Sequence, residues 1–242
     1  MVWSVRSRQT GKRYLVKRYT RRRDALRERR VIVACAGHPN IVSLHRFYTR
    51  RGRSYVVLEW VDGMPLRRFI RRNGPLDPLK VIDVALEVLT GLEVVHSRGF
   101  IHGDLHSGNV IVSDIEAPRV TIIDFQHSVR KNASGRARSI RRLLRPPRKL
   151  APETRRRIID DRYDIYGVGF MCAHMLFGRY PRGRPRKARE AGENGPLWRV
   201  VRTAMHPIPA RRFRSAAEMS EALRQVRELL VRERAAKAAA AR

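Results

Sequence analysis

Between two apolar segments, the stretch "FIHGDLHSGNVIV" (Phe100 to Val112) gathers groups that could do chemistry. Asp104 is a carboxylate, and Asn109 supplies an amide oxygen five positions later; Asp124 follows fifteen positions beyond that, in "VTIIDFQHS". Moving a phosphoryl group from a nucleotide asks little covalent work of a protein. It needs metal ions on the phosphates, a cation on the non-transferred phosphates, and a carboxylate to orient the attacking hydroxyl. Oxygen ligands such as a carboxylate and a nearby amide suit Mg²⁺. Each short pattern is weak alone, because His-x-Asp and Asp-Phe arise by chance and the loop could be only a polar turn. The ordered set says more: "HGDLHSGN", then strand, turn and strand, then "DF", then "APE" at Ala151 to Glu153.

The elements that must position these groups are legible in the hydrophobic pattern. "VWSVRS" and "RYLVKRY" alternate around a turn at Thr10-Gly11, which predicts a hairpin. "RRDALRERRVIVACAG" predicts a helix with Leu26, Val33 and Ala34 among its buried positions, stopped by Gly37. "IVSLHRFYT" and "SYVVLEWV" predict two further strands, and after "DGMP" the character turns helical. "LDPLKVIDVALEVLTGLEVVHSRG" is a long amphipathic helix with Val81, Val84, Ala85, Val88, Leu92 and Val95 on one face. Strands "NVIV" and "VTIID" follow, then a basic proline-containing loop and the apolar helix "DRYDIYGVGFMCAHMLFG". The tail "AAEMSEALRQVRELLVRERAAKAAAAR" is a helix whose final alanine-rich turns are expected to fray. No internal repeat is visible. A small strand-rich lobe hinged to a larger helical lobe binds its ligand in the cleft between them.

Composition narrows the classes. At 43% hydrophobic residues the chain can build a core, which argues against global disorder. It has no apolar run long enough to span a bilayer, and its start lacks the apolar region of a signal peptide, so a cytoplasmic protein is expected. Cys35 and Cys172 read as reduced core residues. The histidines show no metal-ligand spacing. The net charge of +31, from 53 Lys and Arg against 22 Asp and Glu, attracts polyanions. Arginine dominates and its clusters are scattered, which fits non-specific polyanion binding better than a dedicated nucleic-acid surface.

Together these motifs resemble the protein kinase superfamily, closest in the later half to bacterial serine/threonine kinases, over nearly the whole chain. The family pattern HxDxxxxN is matched by His102, Asp104 and Asn109, DFG by Asp124-Phe125-Gln126, and APE by Ala151-Pro152-Glu153. Asp164 in "DIYGVG" matches the aspartate that opens the central helix, and Arg212 in "ARRFRSAAEM" the arginine that pairs with the APE glutamate. "YLVKRY" resembles the strand carrying the nucleotide-binding lysine, which gives Lys17, and the "HPNIV" ending of the next helix makes Glu28 its partner. "YVVLEWVDG" resembles the hinge, with Leu58 as gatekeeper and Glu59 to Val61 along the adenine edge.

The resemblance implies an α+β, two-lobed kinase-like fold over one domain, residues 1–242. Its N-lobe would span 1–61, its C-lobe 62–230 and a helical tail 231–242. It implies ATP and Mg²⁺ as cofactors. Lys17 would neutralise the α/β-phosphates, held by Glu28; Asn109 and Asp124 would hold Mg²⁺; Asp104 would orient the hydroxyl, while His102 packs beneath the loop. Without the resemblance, Lys17 reads as a solvated strand residue, Glu28 as an i,i+4 partner for arginine, and Asp114 and Glu116 as turn residues.

Departures from the family pattern bear on function. "VWSVRSRQTGKRYLVKRY" matches the second strand, turn and third strand, so the N-lobe reads as truncated, with the first strand and the glycine-rich loop absent. Losing a few charge-assisted N–H to phosphate bonds, each worth ~1.5–3 kcal/mol, implies nucleotide binding weaker by roughly ten- to a thousandfold. Gly103 stands where an arginine usually grips an activation-loop phosphate, His106 where a lysine is common, and Gln126 where DFG has glycine. "HGDLHSGN" is similar to the loop of aminoglycoside-type small-molecule kinases. The basic segment before "APE" lacks a recognisable peptide-docking pattern and suits an anionic acceptor or partner. Three readings stay open: a serine/threonine protein kinase, a kinase of small hydroxylated molecules, and a pseudokinase scaffold. The charged set argues against the last, because burying Lys17, Glu28 and Asp124 together costs desolvation energy that only function requires.

Overall fold

The structure is a computed structural model that describes residues 1–138, 151–155, 158–180 and 195–240. The second half of the basic loop, residues 139–150, lies outside them. The alternating segments form the expected hairpin, β1 (Val2–Arg6) with β2 (Arg13–Tyr19), in which Val2 faces Lys17. With β3 (Leu44–Arg50) and β4 (Arg53–Glu59) they make an antiparallel sheet in the order β1-β2-β4-β3. Helix α1 (Arg22–Ala34) lies against this sheet, and its register differs from the expected one. Ala25, Glu28, Val31 and Ile32 are buried, Leu26 and Ala34 only half-buried, and Val33 is 51% exposed. Positions 25, 28 and 32 share one helical face, so turning Glu28 toward the sheet carries Val33 out to water.

The C-lobe opens with β5 (Met64–Pro65) and α2 (Leu66–Asn73), an arginine-rich helix whose Leu66 and Ile70, one turn apart, are its buried residues. Helix α3 (Pro78–Ser97) is the axis of the lobe. The Asp77 carboxylate caps it by accepting from the Leu79 N–H at 2.9 Å, and Pro78 occupies the first turn, where a missing N–H costs nothing. All six apolar positions expected on its inner face are buried, together with Ile82 and Leu89. Each such side chain contributes roughly 1.5–3 kcal/mol relative to exposure. Helices α4 (Arg162–Phe177) and α6 (Ala216–Ala240) pack on α3, and α5 (Pro196–Ala204) packs on both. No described helix is long and apolar enough to cross a membrane. Residues 231–240 are exposed yet stay helical, as alanine's propensity favours, and Arg234 bridges to Asp77.

Short strands fix the loops. β6 (Phe100–Ile101) pairs with β9 (Val129–Arg130), and β7 (Val110–Asp114) pairs with β8 (Arg119–Ile122) beside β5. In the β7–β8 hairpin Val110 faces Ile122, so the chain enters β7 and leaves β8 at the same end. The Ile123 N–H donates to the Asn109 carbonyl at 3.0 Å. That register explains the fifteen-residue spacing: Asn109 and Asp124 flank one hairpin and emerge side by side. At its far turn Asp114 accepts from the Glu116 and Ala117 N–H groups, so both acidic residues are structural, as expected. β10 (Ala137–Arg138) and β11 (Ile158–Ile159) close a second small ladder below.

Candidate active site

Lys17 projects from β2 into the space between the lobes and is 9% exposed. Its Nζ lies 2.7 Å from Glu28 Oε1 on α1 and 3.0 Å from Asp124 Oδ1 beyond β8. Burial pulls the ammonium toward neutrality, but the two carboxylates outweigh it and hold its pKa above the ordinary lysine value. Burial likewise opposes ionisation of Asp124, and Lys17 beside it keeps that carboxyl below the usual range. Both groups are therefore charged at neutral pH. Glu28, fully buried, also accepts from the Tyr19 hydroxyl and from the Phe125 N–H at 3.3 Å. Glu28 is thus no surface partner for arginine. Tyr19 escaped the sequence reading although its signal was present, since two positions beyond Lys17 on a strand is the same face.

The loop from His102 to Asn109 is organised from beneath by one carboxylate. Asp164, near the start of α4 and fully buried, accepts from the His102 N–H at 2.7 Å, the Gly103 N–H at 3.0 Å and His96 Nε2 at 2.9 Å. Burial opposes its ionisation, yet His96 and these donors hold its pKa below the ordinary carboxylate value. His102 packs under the loop as expected, donating from Nε2 to the Ile123 carbonyl at 3.2 Å, its ring 4.9 Å from that of Phe125. Gly103 has φ +75°, and a Cβ there would sit 2.6 Å from the His127 carbonyl oxygen, so the turn itself favours glycine over arginine. A Cβ on Gly167 of α4 would likewise lie 2.7 Å from the Leu105 carbonyl, so a bare helix surface lets the loop settle on it.

Asp104 is 6% exposed, with His106 Nε2 3.7 Å from its Oδ1. Asn109 donates its amide N–H to the Asp104 carbonyl at 3.0 Å, which leaves its side-chain oxygen as a ligand atom. That oxygen and the ionised Asp124 carboxylate are hard donors of the kind Mg²⁺ takes, so the residues present fit the ion. The left-handed conformation of the turn falls on Asp124, φ +67°, and not on Gln126, so replacing the family's glycine strains nothing here. Arg27 of α1 donates to the Gln126 carbonyl at 3.3 Å and ties that turn to the helix, a contact no motif announces.

At the hinge Leu58 is buried, Glu59 exposed and Val61 half-buried. The Glu59 N–H donates to the Ser43 carbonyl at 3.0 Å, whereas the Val61 peptide makes no hydrogen bond with any described residue and is available to the edge of a base. Farther down, Arg212 forks onto Glu153 at 2.7 and 2.9 Å, the expected pairing. Sequence reasoning missed the polar support of the loop on its other side: Ser107 Oγ lies 2.8 Å from His174 Nδ1 and 2.9 Å from the Tyr180 hydroxyl. The structure thus joins Lys17, Glu28 and Asp124 directly, ties Asn109 to Asp104 within the loop, and sets Leu58 to Val61 at the end of β4.

Comparison with known proteins identifies the family. A model of the protein kinase domain matches residues 1–237. The serine/threonine-protein kinase PknB of Mycobacterium tuberculosis (strain ATCC 25618 / H37Rv) is 29% identical over 214 residues, covering 77% of this chain and 33% of that protein. The serine/threonine-protein kinase PkaA of Streptomyces coelicolor is 28% identical over 221 residues, covering 84% and 39%. PrkC of Bacillus subtilis, a serine/threonine-protein kinase, is 27% identical over 145 residues, covering 60% and 22%. The chain spans less than two fifths of the length of each of these relatives.

Proposed function

Because the chain belongs to the protein kinase domain family, we propose that it is an ATP-dependent phosphotransferase that moves the γ-phosphate to a serine or threonine hydroxyl of a protein. The observation that carries this reading is that Lys17 Nζ lies within 3.0 Å of a carboxylate oxygen of both Glu28 and Asp124, three groups brought in by separate parts of the chain. Placing one buried cation between two carboxylates costs desolvation energy that packing alone does not require.

In this reading Lys17 presents a permanent positive charge to the non-transferred phosphates, and Glu28 fixes its direction. Asn109 and Asp124 hold Mg²⁺, which supplies charge neutralisation on the nucleotide when bound. Asp104 orients the acceptor hydroxyl and takes its proton. The Val61 peptide receives the adenine edge beside Glu59, with Leu58 behind it. Two buried free cysteines suit a reducing, cytoplasmic setting.

Incorporation of labelled γ-phosphate into serine- and threonine-containing peptides tests the proposal. Asp104→Asn is expected to slow transfer by about 10²–10⁴-fold while leaving the fold intact. Equal transfer by the two proteins would remove Asp104 from the mechanism. A second reading, a small hydroxylated acceptor, is favoured by His106 beside Asp104 in "HGDLHSGN" and predicts transfer to such a molecule but to no peptide.

A further inference from the structure

Where α2 meets the end of α4, a cavity of about 850 Å³ opens beside the catalytic loop. Among its described walls stand Arg67, Arg68 and Arg71 of α2, Arg179 beyond α4, and the partly buried Phe177, with no carboxylate. Some arginines of the C-lobe are held by carboxylates: Arg212 by Glu153, Arg227 by Asp83, and Arg234 by Asp77. The four guanidiniums here make no ion pair or hydrogen bond with any described residue. Like charges gathered without counter-charges raise the local potential and favour an anionic ligand. His174, in the same wall, adds no charge: burial and the neighbouring Arg67 push its pKa down to about 4.

The cavity is tied directly to the chemistry. The Arg67 N–H donates to the Ser107 carbonyl at 2.7 Å, and Ser107 Oγ meets His174 and Tyr180. Ser107 stands three residues after Asp104, a span of at most about 11 Å of chain. An extended peptide advances about 3.3 Å per residue, so a carboxylate in the cavity falls roughly three to five residues from a hydroxyl at Asp104. Phe177 is partly buried and packs T-shaped against Trp198 at 5.2 Å, and one such ring is no platform for stacking successive bases, which favours a peptide over a nucleic acid.

We propose that this cavity is the acceptor's specificity subsite and that it selects serine or threonine followed or preceded by acidic residues about three to five positions away. The inference rests on the phosphotransferase reading, but its core, recognition of an acidic peptide, is measurable without turnover.

The test uses the full chain and two fluorescent peptides, one carrying a serine with glutamates at those positions and one with glutamines in their place. Arg67→Ala/Arg68→Ala/Arg71→Ala removes the subsite. Arg224→Ala/Arg232→Ala/Lys237→Ala removes the same charge from the exposed face of α6. At physiological salt the glutamate peptide should bind about tenfold more tightly than the glutamine peptide; the first variant should erase that preference and the second retain it. Equal weakening in both variants would reduce the effect to bulk charge and overturn the proposal, as would a missing preference. In an active chain, the glutamate peptide must also be phosphorylated faster, and equal rates would detach the cavity from the acceptor. Mg·ATP binding, followed separately, keeps the two readings apart. Peptide selection without nucleotide binding sinks the phosphotransferase reading alone, and nucleotide binding without selection sinks the subsite alone.

Discussion

Lys17 is the residue on which the cleft turns, because each of its neighbours is ionised or oriented by it. Lys17→Met leaves two carboxylates facing each other with no cation between them, one fully buried, and should cost about 3 kcal/mol of stability in chemical denaturation. Tyr19→Phe removes only the hydroxyl that Glu28 accepts and should cost about 1 kcal/mol. The comparison separates the ion pair from its support. His174 makes the pH prediction. Its folded pKa, pushed down to about 4 from 6.5, means that between those values the unfolded chain takes up a proton that the folded chain refuses. Stability should therefore fall as pH drops from 6.5 toward 4, and less steeply in His174→Gln, as denaturant midpoints across that range would show. The depressed carboxylates of Asp124 and Asp164 act lower. Their contribution is present above the unfolded aspartate pKa, about 3.9, and is lost as pH falls through their folded values.

Elements bring these residues together through two devices: the β7–β8 register that sets Asn109 beside Asp124, and α4, which carries Asp164 beneath the loop. Close approach of α4 depends on the bare surface at Gly167. Gly167→Val should force the Leu105 carbonyl away, destabilise the protein by about 1–3 kcal/mol and slow transfer, measured by thermal melting and phosphate incorporation together. Much of this was legible in the sequence. The alternation of β1 and β2, the inner face of α3 and the ordered motifs Asp104, Asn109 and Asp124 each follow from spacing and residue type. What escaped did so for identifiable reasons. α2 is short and dominated by arginine, so its two buried residues make no visible period. The inner face of α1 differs from the hydrophobic pattern because a charged residue, Glu28, takes a core position that hydrophobic counting assigns to Val33. Tyr19, Arg27 and His174 act through contacts 9 to 99 residues away in sequence, which no local pattern encodes.

At the scale of the molecule, a four-stranded sheet with one helix sits over a helical lobe, and the charged set closes between them. The chain's excess of arginine is only partly answered by carboxylates, and four arginines with no described carboxylate partner gather at the α2–α4 cavity. The central claim, that the cleft is a nucleotide site built on Lys17 and Asp124, is tested most directly by thermal melting against ATP, with and without Mg²⁺, on this chain and on Asp124→Ala. Ligand that binds only the folded state raises the melting temperature by mass action. A rise that requires Mg²⁺ and disappears in Asp124→Ala is the predicted result. No rise at millimolar Mg·ATP, or an equal rise in both proteins, would contradict it.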